Sequence, residues 1–249
     1  MARALSKLGY CSRSQAAELV RAGRVRLNGS VQRNPEKPVR LHSDRIVVDE
    51  HEARLGKKIY LMMNKPRGLV TTASDEKGRE TVYSVLASSG DSLPWVAPVG
   101  RLDKASEGLL LLTNDSEWGA RVAAPETHLE KTYHVQIATV ANDGMIAAML
   151  RGVKIDGQRL RAKECRLLRS GEKNCWLEIT IEEGRNRQIR RMLASFGVDV
   201  LRLMRVSIGP LPLGTLAKGT YRWLSAEEKL VLDRAMKKRA NSVHGRRAC

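Results

Sequence analysis

The sequence predicts an α+β protein in which a small domain precedes a larger one. Several short segments alternate apolar and polar residues, as strands do, and only a few have helical spacing. The two kinds of segment do not alternate regularly, so a mixed or antiparallel sheet fits better than a doubly wound one. Residues 50–58 are charged and poorly patterned. We therefore predict a domain at 1–49, a linker at 50–58, a second domain at 59–228 and a basic tail at 229–249.

The composition is strongly basic. The chain of 249 residues has 44 Lys and Arg against 27 Asp and Glu, a formal net charge of +17. Such a surface binds polyanions, because neutralised phosphates release their counterions. No segment combines a basic face with a large apolar one, and no apolar run approaches the roughly 18 residues of a membrane span. We expect nucleic acid, rather than a membrane, as the partner.

Cysteine and histidine positions give no indication of a metal site. Cys11, Cys165, Cys175 and Cys249 form no close pair of the zinc-binding kind, and the five histidines lack metal-ligand spacing. The first residues are polar, unlike a signal peptide. We expect a cytoplasmic protein with reduced thiols and without a metal.

The small domain is predicted to contain a helix that Ser12 caps. Ala16, Leu19 and Val20 follow at helical spacing, and Gly23 is placed to end the helix. The next residues, 24-RVRLNG-29, alternate arginine with apolar residues before an Asn-Gly turn, which predicts a hairpin.

Four arginines lie along this helix and hairpin. They are Arg13, Arg21, Arg24 and Arg26. A solvated charged face would account for them, and so would a small RNA-binding module whose arginines lie along the helix and the turn. The sequence pattern alone leaves both interpretations open.

The larger domain is predicted to be rich in strands. Its first strand-like run, from residue 59, ends at the Lys-Pro-Arg-Gly turn of residues 65–68. Strand patterns also occur at 109–112, 129–137, 176–181 and 200–208, and helical patterns at 142–152 and 185–197. The tail begins with helical spacing and is predicted to be a mobile electrostatic arm.

Asp103 is the first candidate for chemistry. It lies a few residues before 109-LLLL-112, whose continuous apolar character predicts a strand covered on both faces. Its carboxylate should therefore lie at the edge of a core, where it needs a cation. Arg101 is one candidate for that cation.

Tyr133 and a cluster of arginines are the other candidates. Tyr133 shares a strand face with Val135 and Ile137, so it should point inward, as a core aromatic or as a platform for a nucleobase beside Lys131. The arginines repel one another at a helix start, which favours a polyanion or a buried carboxylate over a solvated basic face. They are Arg185, Arg187, Arg190 and Arg191.

These segments resemble known families. The pattern LxKLGYCSRSQAAELVRAGRVRLNGxxV is similar to the alpha-L RNA-binding motif of ribosomal proteins. The motifs KPRG at 65–68, PVGRLDKASEGLLLLTND at 98–115, EKTYHV at 130–135 and EGRNRQIRRM at 183–192 resemble pseudouridine synthases that act on ribosomal RNA, in the branch with the same N-terminal module. The match runs from about Leu5 to about Ser225.

The resemblance implies a pseudouridine synthase catalytic domain on a mixed, mainly antiparallel sheet, and an isomerase that converts uridine to pseudouridine without a metal or cofactor. By that resemblance Asp103 is catalytic, Arg190 keeps it ionised, Tyr133 stacks on the base, and Arg101 can occupy the space that the base vacates. Lys65 mainly shapes the site. The residues predicted to bind substrate or RNA are Arg101, Lys65, Arg13, Arg21, Arg24, Arg26, Lys131, Arg185 and Arg187.

Two alternatives belong to other classes. A non-catalytic RNA-binding factor in ribosome assembly would explain the composition and the N-terminal module, but it has no need of the aspartate, tyrosine and arginine at separate sites. A glycosidase would need two cooperating carboxylates, and only Asp103 has a convincing setting. The basic C-terminal extension and the form of the last motif resemble the family members that act on large-subunit RNA more closely, and this resemblance implies large-subunit RNA as the substrate, free or within an assembling ribosomal particle. We expect a monomer.

Overall fold

A computed structural model describes residues 1–54, 56–73, 75, 77–91 and 93–244, with side chains as far as residue 236. Within these residues the protein is α+β, with a small and a large sheet, as the sequence predicts. None of the described helices has the length and apolar character needed to cross a membrane.

The small sheet follows two helices at the N-terminus. Ser12 caps the second helix as predicted, because its hydroxyl accepts a hydrogen bond from Gln15 N and the Gln15 side chain accepts one from Ser12 N. Asn28 and Gly29 both have positive φ angles, 51° and 87°, which suits the predicted two-residue hairpin turn. The elements are α1 (Ala2–Lys7), α2 (Arg13–Arg21), β1 (Val25–Leu27), β2 (Ser30–Gln32), β3 (Ile46–Val48) and β4 (His51–Glu52), and the strand order is β2-β1-β3-β4.

The large sheet has nine strands and is mainly antiparallel. The strands of the larger region are β5 (Tyr60–Lys65), β6 (Ala97–Val99), β7 (Glu107–Thr113), β8 (Lys131–Ile137), β9 (Val153–Ile155), β10 (Gln158–Leu160), β11 (Glu164–Ser170), β12 (Cys175–Ile181), β13 (Val200–Ile208), β14 (Leu211–Pro212) and β15 (Tyr221–Trp223). Strands β9 and β10 form a separate hairpin, and the other nine belong to the large sheet. The strand order is β11-β12-β8-β13-β7-β5-β15, with β6 paired to β7 and β14 to β13. The pairing of β7 with β13 is parallel.

Helices complete the larger region. They are α3 (Tyr83–Ala87), α4 (Ser116–Ala123), a 3-10 turn at Pro125–Thr127, α5 (Asp143–Arg151), α6 (Gln188–Ala194) and α7 (Ala226–His244). Every strand and helix pattern identified in the sequence of this region corresponds to one of these elements. The short helices α3 and α4 and the edge strands β11 and β15 were not predicted, since none has a long periodic pattern.

Strand β4 and helix α7 each correct one expectation. His51–Glu52 extends the small sheet into the segment predicted to be a linker. Helix α7 occupies the start of the predicted mobile tail, and its Leu232 and Met236 are buried in a cluster with Trp118. Their four-residue spacing places both on one helix face, so this part of the tail packs on the domain. The last residues, 245–249, lie outside the described residues.

Candidate active site

Lys65 holds the loop that precedes β7. Its ammonium is fully buried and donates hydrogen bonds to the carbonyl oxygens of Pro66, Asp103 and Ser106, at 3.1, 3.2 and 2.9 Å. Burial lowers the pKa of Lys65 from 10.5 to about 8, although the negative charges of Asp103 and Glu107 act in the opposite direction. The role in shaping the site is therefore supported. The expectation that Lys65 also binds RNA is corrected, because its ammonium has no exposed surface.

Further contacts fix the same loop. Thr71 Oγ1 donates to Leu102 O at 2.8 Å, and Gly68 N donates to Lys104 O at 2.8 Å. The KPRG turn at the end of β5 thus lies directly beside the loop. Because the bonds are made to its main chain, the loop is held in place while the Asp103 side chain stays 35% exposed.

The strand after the loop is buried at all seven positions, as its leucines predict. Gly108 in this strand has a φ of +102°, and a Cβ there would lie 2.3 Å from Arg205 O on β13. Only glycine permits this close approach of the two strands. The approach brings the Asp103 loop beside β13.

The ion pair of Asp103 is formed by Arg187 instead of the expected Arg190. Arg187 Nη1 lies 3.5 Å from Asp103 Oδ2, whereas Arg190 lies under the loop and donates to Ala105 O at 3.1 Å and Val200 O at 3.3 Å. Burial lowers the pKa of Arg190, and the charge of Arg187 lowers it further, while Asp103 raises it. The motif contains both arginines, and its spacing does not distinguish the one before α6 from the one in the first turn of the helix.

A cavity of about 710 Å³ opens beside the loop, within the range of small-ligand sites. Its wall includes the loop, the 3-10 turn, strands β8 and β13, and the start of α6. Six residues predicted from the sequence line it: Arg101, Asp103, Lys131, Tyr133, Arg185 and Arg187. Lys65 and Arg190 stand behind this wall.

Tyr133 points inward, as its strand pattern predicts. It is 8% exposed, and the burial of β8 alternates so that Tyr133, Val135 and Ile137 share the buried face. Its side chain also lines the cavity. Tyr133 can therefore be a core aromatic and still present part of its ring to a ligand.

Three buried side-chain polar atoms lack a hydrogen-bond partner among the described residues, and all three belong to this region. They are Ser106 Oγ, Arg190 Nε and Arg205 Nη2. Ser106 and Arg205 line the cavity, and Arg190 contacts the loop beside it. Unpaired buried polar groups are costly, so their concentration here indicates a site that a polar ligand completes. Sequence reasoning missed Arg205, although an arginine two residues after Leu203 on an apolar strand could have drawn attention.

The four arginines of the N-terminal region are exposed and lie outside the cavity wall. Arg24 forms an ion pair with Asp49, and Arg13 lies 3.4 Å from Glu36. Arg21 and Arg26 form no ion pair with the described residues. In the described part of the chain, His, Cys, Asp and Glu side chains form no group of three that could hold a metal.

Comparison with known proteins assigns this chain to a family. Residues 59–195 match the family model for RNA pseudouridylate synthase, and residues 2–46 match the S4 domain. An RNA pseudouridine synthase of Aquifex aeolicus is 35% identical over 93% of this chain and 92% of its own length. The ribosomal large subunit pseudouridine synthase B of Bacillus subtilis is 32% identical over 99% of this chain and 98% of its own.

A solved structure agrees with these sequence matches. The crystal structure of a pseudouridylate synthase superposes with a TM-score of 0.62 at 32% identity, covering 89% of this chain and 94% of its own. The chain therefore belongs to the RNA pseudouridylate synthase family, carries an S4 domain at its N-terminus, and is an isomerase.

Proposed function

We propose that the protein converts uridine in ribosomal RNA to pseudouridine with Asp103 as the catalytic carboxylate. The observation that carries this proposal is the position of Asp103, which lines the cavity on a loop fixed through its main chain. An ionised carboxylate can act as a nucleophile or as a base. Arg187, at 3.5 Å, and Arg190 behind the loop place two positive charges near this carboxylate.

The remaining cavity residues suit a base that has left its stack. A flipped base needs a new stacking surface, and the ring of Tyr133 supplies one. Arg101 is exposed beside the cavity and fills the space that the base vacates. Lys131 and Arg185 bind the neighbouring phosphates.

Large-subunit RNA is the proposed substrate. The name of the B. subtilis relative supports this choice, as does the form of the last motif in the sequence. We further propose that the protein acts in the cytoplasm as a monomer, on RNA within an assembling ribosomal particle, and so contributes to ribosome biogenesis. The exposed arginines of the S4 domain would then hold the particle while the cavity receives one uridine.

The test is tritium release from ribosomal RNA labelled at carbon 5 of uracil. The wild type should release tritium, and Asp103→Asn should lower the rate by at least about 10³-fold, because the acid–base or nucleophilic group is lost. Asp143→Asn, at an exposed position in the first turn of α5, is the matched control and should keep the wild-type rate. Ribosomal RNA within the precursor particles of each subunit should be assayed alongside free ribosomal RNA.

A folded wild type that binds these RNAs tightly but releases no tritium would favour the alternative, a non-catalytic factor in ribosome assembly. Release from small-subunit RNA alone would contradict the proposed substrate and leave the chemistry intact.

A further inference from the structure

Arg205 is a buried cation in the cavity wall, and it has no role in the function proposed for Asp103, Tyr133 and Arg187. Its side chain belongs to a residue that is 5% exposed, and its Nε donates to Leu109 O at 2.7 Å. Its Nη2 has no hydrogen-bond partner, and its guanidinium no ion pair, among the described residues. Proteins rarely bury such a charge without an anion or a polar ligand to receive its hydrogen bonds.

The position of Arg205 indicates which part of a substrate it would meet. Arg205 on β13 and Tyr133 on β8 are directly opposite each other in the antiparallel pairing. Side chains at such positions have Cβ atoms about 4.5–5.5 Å apart. Both residues line the cavity, so Arg205 and Tyr133 are neighbours in its wall.

We propose that Arg205 donates a hydrogen bond to a carbonyl oxygen of the flipped-out uracil and stabilises negative charge on the base during the reaction. This inference rests on the proposed function. When the bond from N1 to C1′ breaks, its electron pair leaves with the base, and the charge spreads onto the two carbonyl oxygens. A bond from C5 to C1′ then forms, the C5 proton passes to water and N1 takes up a proton, so the isomerisation balances without an oxidant or reductant.

A permanent charge on a buried side chain suits this task. A donor that is already oriented stabilises developing charge without reorganising, and it acts more strongly away from bulk water. Arg205 is held in this way by β7, through the bond from its Nε to Leu109 O. It would contact the base from β13; Asp103 lies on the loop before β7, and Arg187 directly precedes α6.

A purely structural role is the competing explanation, because the same Nε bond ties β13 to β7. The two roles differ in what an apolar replacement does. Replacing a buried charged group by a well-packed apolar side chain is often neutral or stabilising, whereas loss of a structural tie lowers stability. Stability and rate measured on the same variants therefore separate them.

The experiment compares Arg205→Met and Arg205→Gln with wild type in urea unfolding and in tritium release at saturating RNA. For Arg205→Met we expect an unchanged or higher unfolding midpoint, a rate lower by about 10²-fold, and a KM within a few fold of wild type. Arg205→Gln keeps a neutral donor and should lose about tenfold. Arg169→Met on the outer strand β11 is the control and should match wild type.

Rates within twofold of wild type in either folded variant would overturn the inference. So would a lowered midpoint in both variants with a rate loss that disappears at lower temperature, since Arg205 would then serve the fold. If Arg205→Met does not fold, Arg205→Gln decides by the same criterion. Absence of tritium release from wild type would instead defeat the proposed function, together with the inference that rests on it.

Discussion

Three cations in or behind the cavity wall and two arginines on the S4 domain are held in opposite ways. Lys65, Arg190 and Arg205 are wholly or partly buried, and their donors meet main-chain carbonyl oxygens. Arg13 and Arg24 are exposed, and they meet the carboxylates of neighbouring side chains. The first group is fixed by the sheet, and the second can exchange its partners for phosphates.

This difference separates positioning from docking. Exposed charges are screened by salt over about 10 Å at 0.1 M, whereas buried donors are screened much less. Geometry around Asp103 should therefore be insensitive to ionic strength, while the attachment of the S4 domain to RNA should depend on it. The predictions below test this contrast.

Among the changes that test this contrast, Lys65→Met should have the largest effect. The substitution removes three hydrogen bonds to the main chain around the Asp103 loop and leaves their carbonyl oxygens unpaired. A displacement of about 1 Å at a catalytic group can cost about 10²-fold, so kcat for tritium release should fall by about that factor. The loss should be equal at 50 and 200 mM salt.

The control for this substitution is Lys57→Met, at an exposed position before β5. It should leave kcat unchanged. A Lys65→Met enzyme whose defect is confined to low or high salt would contradict the view that Lys65 acts through geometry.

The next effect concerns the titration of Lys65. Its pKa in the folded protein is about 8, below the ordinary value of 10.5, so between these pH values the unfolded chain binds more protons than the folded one. Stability contributed by this group therefore rises with pH through that window. A shift of this size corresponds to about 3 kcal/mol across the whole window.

Urea unfolding of wild type and Lys65→Met at several pH values measures this effect. The wild type should gain stability relative to the variant as pH rises from about 7.5 to 10. A difference that is flat with pH, or that changes in favour of the variant, would mean that the Lys65 ammonium is not disfavoured by burial.

The smallest effect is expected on the S4 surface. Arg21 and Arg26, which have no acidic partner among the described residues, are changed together to alanine. If each contacts one phosphate, the slope of log affinity against log salt should weaken by roughly 1.4–1.8. Binding should fall about tenfold at low salt, while kcat at saturating RNA stays unchanged.

The matched double variant changes Arg13 and Arg24, whose guanidinium groups already face Glu36 and Asp49. Its salt slope should change less, since binding a phosphate there must first break an ion pair. Equal slopes for the two double variants would remove the distinction between free and paired arginines.

Much of the site followed from local patterns. The apolar run after Asp103 and the alternation around Tyr133 depend on backbone periodicity, and the structure has both as predicted. The N-terminal helix and hairpin followed from Ser12 and the Asn-Gly turn in the same way. These features need only a few consecutive residues to be specified.

The parts that escaped prediction depend on contacts between distant strands. The role of Gly108 and the burial of Arg205 arise only when β7 and β13 meet in parallel, almost a hundred residues apart. Arg187, and not the predicted Arg190, lies beside Asp103 because of where α6 begins relative to the loop. No motif spacing contains that information.

The packing of α7 has a consequence for how the protein is made. Trp118 Nε1 donates to Asp233 Oδ1 at 2.8 Å, and Leu232 and Met236 close the cluster around the indole. Asp233 follows Trp118 by 115 positions, so it leaves the ribosome that synthesises the chain well after the indole does. The cluster around Trp118 therefore cannot close until residues 232–236 have been made, and a product that terminates before them exposes an apolar patch for chaperones and proteases to recognise.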